Sequence, residues 1–175
     1  MSNPQFLTAL GAAISIFLSS AGASFGSIHA GVFAIRASSW GWKSFCPIVI
    51  AGVLAIYGII VAVILCGKLN GATSLSEMEG YKNLCSGLAV GSACLTSGFG
   101  IGKFIRAQTE CLSQEKPNSG SDSQTEPLLN HRNENRGEIV KTILALIFIE
   151  AIGLYGLIVG LMLSSGKSSA TALAE

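Results

Sequence analysis

The sequence predicts an all-α membrane protein, with four transmembrane helices arranged as two tandem helical hairpins. Three observations carry that expectation. First, the windows 6–35, 44–67, 83–102 and 142–166 contain no Lys, Arg or Asp. Each reaches the ~20 apolar residues a helix needs to cross the ~30 Å hydrocarbon layer. Second, charged residues make up 12% of the chain, mean hydropathy is +0.57 and glycine occurs 21 times. An ordinary soluble domain carries about 25% charged residues, so this is the composition of a lipid-embedded bundle. Third, the chain repeats itself. Residues 50–65 align with 148–163 at an offset of 98, matching Tyr57 to Tyr155, Gly58 to Gly156 and Ile60-Val61 to Ile158-Val159. The first and third windows align more weakly at an offset of 74, with Phe25-Gly26 on Phe99-Gly100. Two copies of one hairpin account for both offsets, as in parallel membrane repeats.

The first hairpin is read as 6–67, followed by a short connection, 68–82. The second is read as 83–166, and a tail, 167–175, closes the chain. Window 6–35 lacks a basic leader and runs well past a 7–15-residue signal core, so it is expected to be a retained helix. It carries small residues at every fourth position: Gly11, Ser15, Ser19, Ala23, Ser27 and Gly31, with a second row at Gly22, Gly26 and Ala30. Such rows let helix backbones approach closely in lipid, where dispersion replaces the hydrophobic drive. Window 83–102 has a similar row that ends in Gly98 and Gly102. Two helices this bare on one side suit the crowded inner wall of a ring. Gly98-Phe-Gly-Ile-Gly102 is half a dinucleotide fingerprint, but it follows no strand, so that reading fails on context.

The second hairpin is longer than the first by 24 residues, the difference between the two offsets, and the excess lies in its internal connection. Loop 106–138 is rich in Ser, Asn, Gln and mixed charge and has few aromatic or β-branched residues. Too little apolar area is available there to offset ordering entropy, so the loop is expected to be disordered. Eight of the 11 Lys and Arg residues fall in the connections within hairpins, and only Lys68, Lys82 and Lys167 fall on the other side. By the positive-inside rule the within-hairpin connections are cytosolic and both termini luminal.

Window 142–166 contains Glu150, the only charged side chain inside any of the four windows. A carboxylate at that depth is costly, and the protonated acid is far cheaper to hold in lipid, so Glu150 is expected to carry a proton. Gly153, Gly156 and Gly160 form a small stripe on the same helix, and Glu150 sits about 90° around from its middle. The acid is therefore expected to point sideways, toward a neighbour or the lipid edge. Gly52 occupies its repeat position in the first hairpin. Tyr57 and Tyr155 are candidate hydrogen-bond partners for the acid.

The five cysteines show neither metal spacing nor a neighbouring His pair, so no metal site is expected. No nucleophile and base constellation suggests a catalytic centre, and no basic stripe with interleaved aromatics suggests nucleic acid.

These residues carry a family resemblance. The stretches Pro47-Ile-Val-Ile-Ala-Gly-Val-Leu-Ala-Ile-Tyr-Gly58 and Ile147-Phe-Ile-Glu-Ala-Ile-Gly-Leu-Tyr-Gly-Leu-Ile-Val159 resemble the c-type proteolipid of eukaryotic vacuolar-type proton-translocating ATPases. Gly22-Ala-Ser-Phe-Gly26 and Gly98-Phe-Gly100 match its first and third helices more loosely. The resemblance covers nearly all of 6–165. It implies a protomer of a rotor ring, with Glu150 on the family's proton-binding carboxylate, H+ as the transported ion and no cofactor. It also implies other proteolipid copies as ring partners, together with a stator subunit bearing an essential arginine, a central-stalk subunit on the cytosolic side, and surrounding lipid. The chain would be a non-catalytic member of the complex and would lie in acidic endomembranes (vacuole, lysosome, endosome, Golgi) or the plasma membrane. Loop 106–138 departs from the family, which has a short turn there. The alternative is a four-span channel or junction-type structural protein with a structural glutamate. That class calls for polar lining or cysteine-rich outer loops, and 68–82 contains no Cys.

Overall fold

A computed structural model describes residues 3–36, 38–71, 75–114 and 128–165. Four long helices account for nearly all of them: α1 (Pro4–Arg36), α2 (Cys46–Gly71), α3 (Glu77–Gln114) and α4 (Leu128–Ser165). A 3₁₀ segment, Ser38–Phe45, joins α1 to α2, and its Ser44 hydroxyl donates to the Ala34 carbonyl at 3.2 Å. All four helices are long and apolar enough to span a membrane, and no strand occurs among the described residues.

The helix starts follow local chemistry. Pro4 opens α1 and Pro47 lies in the first turn of α2, where a missing N–H costs nothing. A reciprocal cap opens α3: the Glu79 N–H donates to Ser76 Oγ at 3.4 Å, and the Ser76 N–H donates to Glu79 Oε2 at 3.2 Å. Glu77 and Glu79 also set negative charge at the positive end of that helix.

The outer segments are more helical than the composition implied. Instead of a connection over 68–82, α2 runs to Gly71 and α3 starts at Glu77. Of the loop 106–138, residues 106–114 extend α3 and 128–138 belong to α4. Between Gly102 and Pro117 no Gly or Pro interrupts α3, and Arg106 pairs with Glu110 one turn on at 3.1 Å. Residues 115–127 of the predicted disordered stretch and the tail 167–175 lie outside the described residues.

α1 packs most extensively on α3 and next on α2, while α4 packs on α3 and α2, so α1 and α4 occupy opposite corners. The α1–α3 seam is the closest. A Cβ on Gly11 would come within 2.8 Å of the Asn83 carbonyl oxygen, and one on Gly98 would collide with the Gly22 backbone. Because Gly11 meets Asn83 and Gly22 meets Cys94, the two helices run parallel. The repeat is visible in the packing. Gly58 lies against Ser15 and Ser19, and its mate Gly156 lies against Ala89 and Ala93, the repeat mates of those serines. Gly26 meets Ala51 just as Gly100 meets Ile149.

The small-residue row of α1 is used differently from the expectation. Buried positions recur every 11 residues, as in Thr8, Ser19 and Ala30 or Gly11, Gly22 and Phe33. That spacing is 3.67 residues per turn, which keeps a contact stripe straight along helices wound with a right-handed twist. A strict four-residue step gains about 40° each time, so after four steps it has rotated by about 160°. Gly11, Ser15, Ser19 and Ala23 are therefore buried, whereas Ser27 is half-buried and Gly31 has nothing within 4 Å of a built Cβ. The row faces α2 and α3 of its own chain rather than forming a bare inner wall. Gly98 and Gly102 do lie in the seam, Gly102 against the Phe25 ring.

Buried hydroxyls bond between helices: Ser15 donates to the Gly58 carbonyl at 3.2 Å, Ser86 to Gly160 at 2.6 Å and Ser97 to Ile149 at 2.8 Å. At the end of the bundle away from the long connection, one polar chain ties all four helices. Lys68 Nζ donates to the Ser164 carbonyl and, at 3.4 Å, to Asn83 Oδ1; Asn83 Nδ2 donates to Thr8 Oγ1 at 3.2 Å. The ammonium there neutralises the negative C-terminal end of α4.

Candidate functional site

Glu150 lies in the apolar stretch of α4 and is half-buried. The residues beside it on the outer face are exposed and apolar, with Phe148 at 70% and Ile152 at 48% exposure. α4 is the least enclosed of the four spans, so one flank of the acid looks out of the bundle. The other flank faces α2, where the Tyr57 hydroxyl donates to Glu150 Oε1 at 3.2 Å.

Three contacts fix this geometry. The Ser97 hydroxyl holds the Ile149 carbonyl, one residue before the acid. Gly153, one turn later, lets α4 close on Leu54, whose Cδ2 would stand 2.7 Å from a Cβ there. Leu54 is fully buried one turn before Tyr57, so packing sets the depth of α2 and hence the height of the phenol. Gly153 and Gly160 are buried and Gly156 half-buried, so the glycine stripe points into the bundle and the carboxylate points sideways along the α2–α4 seam.

Of the two candidate tyrosines, the structure brings only Tyr57 to the acid. Tyr155 is 64% exposed on the outer face. It stands five residues beyond Glu150, about 140° around the helix. Its repeat mate Tyr57 reaches an acid because α4 lies beside α2, but no helix of the same chain lies on the corresponding side of α4. Gly52, the repeat mate of Glu150, is exposed, with nothing within 4 Å of a built Cβ.

Oxygen ligands near the acid are few. The hydroxyl of Ser97 is engaged with a backbone carbonyl, and Tyr57 is the side-chain partner of Glu150. Among the described residues, no three His, Cys, Asp or Glu side chains converge to hold a metal. Cys46, Cys66, Cys85, Cys94 and Cys111 are free thiols.

Comparison with known proteins agrees with this architecture. Residues 84–163 match the ATP synthase C-subunit family. The chain is 34% identical over 168 residues to the V-type proton ATPase 16 kDa proteolipid (c-type) of Nephrops norvegicus, covering 94% of this chain and 93% of that one. It is 34% identical over 165 residues to the protein of that name from Homo sapiens, covering 92% of each. It is also 33% identical over 162 residues to the c'-type proteolipid of the V-type proton ATPase of Saccharomyces cerevisiae, covering 90% of this chain and 87% of the relative.

Proposed function

The chain belongs to the V-type proton ATPase proteolipid family, and from that premise we propose that Glu150 is the group that takes up and releases the transported proton. The observation that carries this reading is a single half-buried carboxylate on the most lipid-exposed span, with a hydroxyl donor on one side and apolar surface on the other. A neutral acid crosses lipid without the desolvation cost of a carboxylate, so a ring can turn while the site is protonated. An arginine on a stator subunit would favour the anion and release the proton there. The proteolipid itself needs no catalytic centre. ATP hydrolysis belongs to the complex it joins, through a central-stalk contact on the cytosolic side. We assign the within-hairpin connections to the cytosol and both termini to the lumen of an acidic compartment, on the distribution of Lys and Arg.

Tyr57 holds the acid in place by one hydrogen bond. Such a bond is worth about 0.5–1.5 kcal/mol, roughly a two- to tenfold effect. Tyr57→Phe is expected to slow proton transport by about that factor with ring assembly unchanged, measured by vesicle acidification alongside native electrophoresis. Tyr155→Phe is expected to leave transport near normal. Equal loss in both variants would refute a special role for the Tyr57 bond.

The carried ion is a proton. A sodium site must replace the hydration shell with several oxygen ligands. Around Glu150 the stretch Val53-Leu54-Ala55-Ile56 supplies no side-chain oxygen and Tyr57 supplies one. Vesicles bearing the assembled enzyme should acidify at the same rate with and without sodium. A strict sodium requirement would overturn the assignment.

A further inference from the structure

The contact between the two hairpins inside one chain is a template for the contact between chains. In the internal seam, α1 presents Gly11 and Gly22 to α3, and α3 returns Gly87 and Gly98. Shifting each residue by the repeat offset of 74 gives the positions that would form the same seam between the second hairpin of one copy and the first hairpin of the next. On α3 these are Cys85 and Thr96; on α1 they are Ala13 and Ser24. All four are exposed in the single chain. The same shift takes Leu18, which packs on Gly91, to Ser92, and takes Gly91 to Phe17. Ser92 is exposed, and Phe17 is 71% exposed. Around the outer helices the offset of 98 takes the Tyr57–Glu150 pair to Tyr155 and Gly52, again both exposed. Every position that the repeat calls into a second seam is uncovered, and the two halves of that seam lie at opposite ends of the molecule. Such a head-to-tail contact continues the internal one.

Building on the ring reading above, we propose that the α3–α4 face of one copy packs on the α1–α2 face of a second copy in the register of the internal seam, with Cys85 against Ala13, Thr96 against Ser24, and Tyr155 over Gly52. Three consequences follow from the side chains. The internal seam is lined by glycine at its closest points and the seam between copies by Ala, Ser, Cys and Thr, so the helices stand further apart between copies than within one. Phe25 and Phe99 are mutual repeat mates whose rings meet at 4.4 Å inside the chain, so Phe99 meets Phe25 of the next copy as well, giving a continuous aromatic belt. Tyr155 finds no carboxylate in the second seam because Gly52 stands where the acid would be, so that seam carries no proton.

The test is disulfide capture in assembled enzyme in native membranes. Cys66 and Cys111 are replaced by Ser to remove exposed thiols, Cys85 is kept, and Ala13→Cys is added. A disulfide requires Cα atoms about 4.4–6.8 Å apart, which the proposed register supplies. Mild oxidation is expected to shift most of the chain into a ladder of dimers and larger species, and Cys85→Ser should abolish it. Thr96→Cys with Ser24→Cys is expected to give the same ladder. A dimer formed by Ala13→Cys without Cys85 would mean two like faces meet, and would overturn the proposal. Absence of a ladder from both pairs, in complexes that still migrate as rings and pump protons, would overturn the register but spare the ring reading. Wild-type protein that migrates as a monomer would count against the ring reading itself.

Discussion

Glu150→Gln is expected to abolish proton pumping while leaving the protein folded and assembled. The amide has nearly the shape of the protonated acid and accepts the same hydrogen bond from Tyr57 through its carbonyl oxygen. It cannot lose a proton near neutral pH, so it permits rotation through lipid but neither loads nor releases an ion. The loss should be complete, because no other charged side chain lies inside the apolar windows: Gly52 stands at the repeat position in α2. The measurement is acidification of vesicles carrying variant enzyme, with ring content checked by native electrophoresis. Normal acidification by fully assembled Gln enzyme would remove the central claim.

The spans, the repeat and the acid were legible in the sequence because each rests on one strong physical constraint. Lipid excludes charge, so uncharged windows mark helices and a lone carboxylate stands out. The packing follows the offsets of 74 and 98 pair by pair, from Gly58 and Gly156 to Gly26 and Gly100. Which tyrosine meets the acid was not legible, because Tyr57 and Tyr155 have the same local sequence. Only the order of helices in space separates them. The course of the small-residue stripe was hidden for a related reason: a step of four fits Gly11 to Ala23, and the accumulated rotation shows only at Ser27 and Gly31.

The link through Lys68, Asn83, Thr8 and the end of α4 was not legible because its members lie far apart in sequence. A signal was present. Asn83 and Lys68 stand at the margins of adjacent spans on the same side, and polar groups at such positions seek partners across helices. The helical parts of 106–114 and 128–138 were hidden by composition, since many polar residues with few apolar ones read as a linker. Freedom from Gly and Pro was the better guide at the α3 end.

The second large effect is expected at the α1–α3 seam. Gly98 and Gly22 bring two backbones together, so a side chain at 98 meets main-chain atoms that cannot rotate away. Ordinary overpacking costs about 1–3 kcal/mol because neighbouring side chains give way. Here the whole of α1 must move, and with it Ser15 and Ser19, which seat α2 through Gly58. The parallel pair that orders the bundle would separate, and α2 would lose its depth relative to α4 and Glu150. Gly98→Leu is therefore expected to yield almost no detergent-stable protein and no acidification. Gly31→Leu is the matched control, since the same change on α1 enters open space beyond the seam and should be tolerated. Steady-state protein level and recovery of assembled ring, compared between the two variants, decide the matter. If Gly98→Leu accumulated and assembled as well as Gly31→Leu, the close glycine contact would not be what holds the two hairpins together.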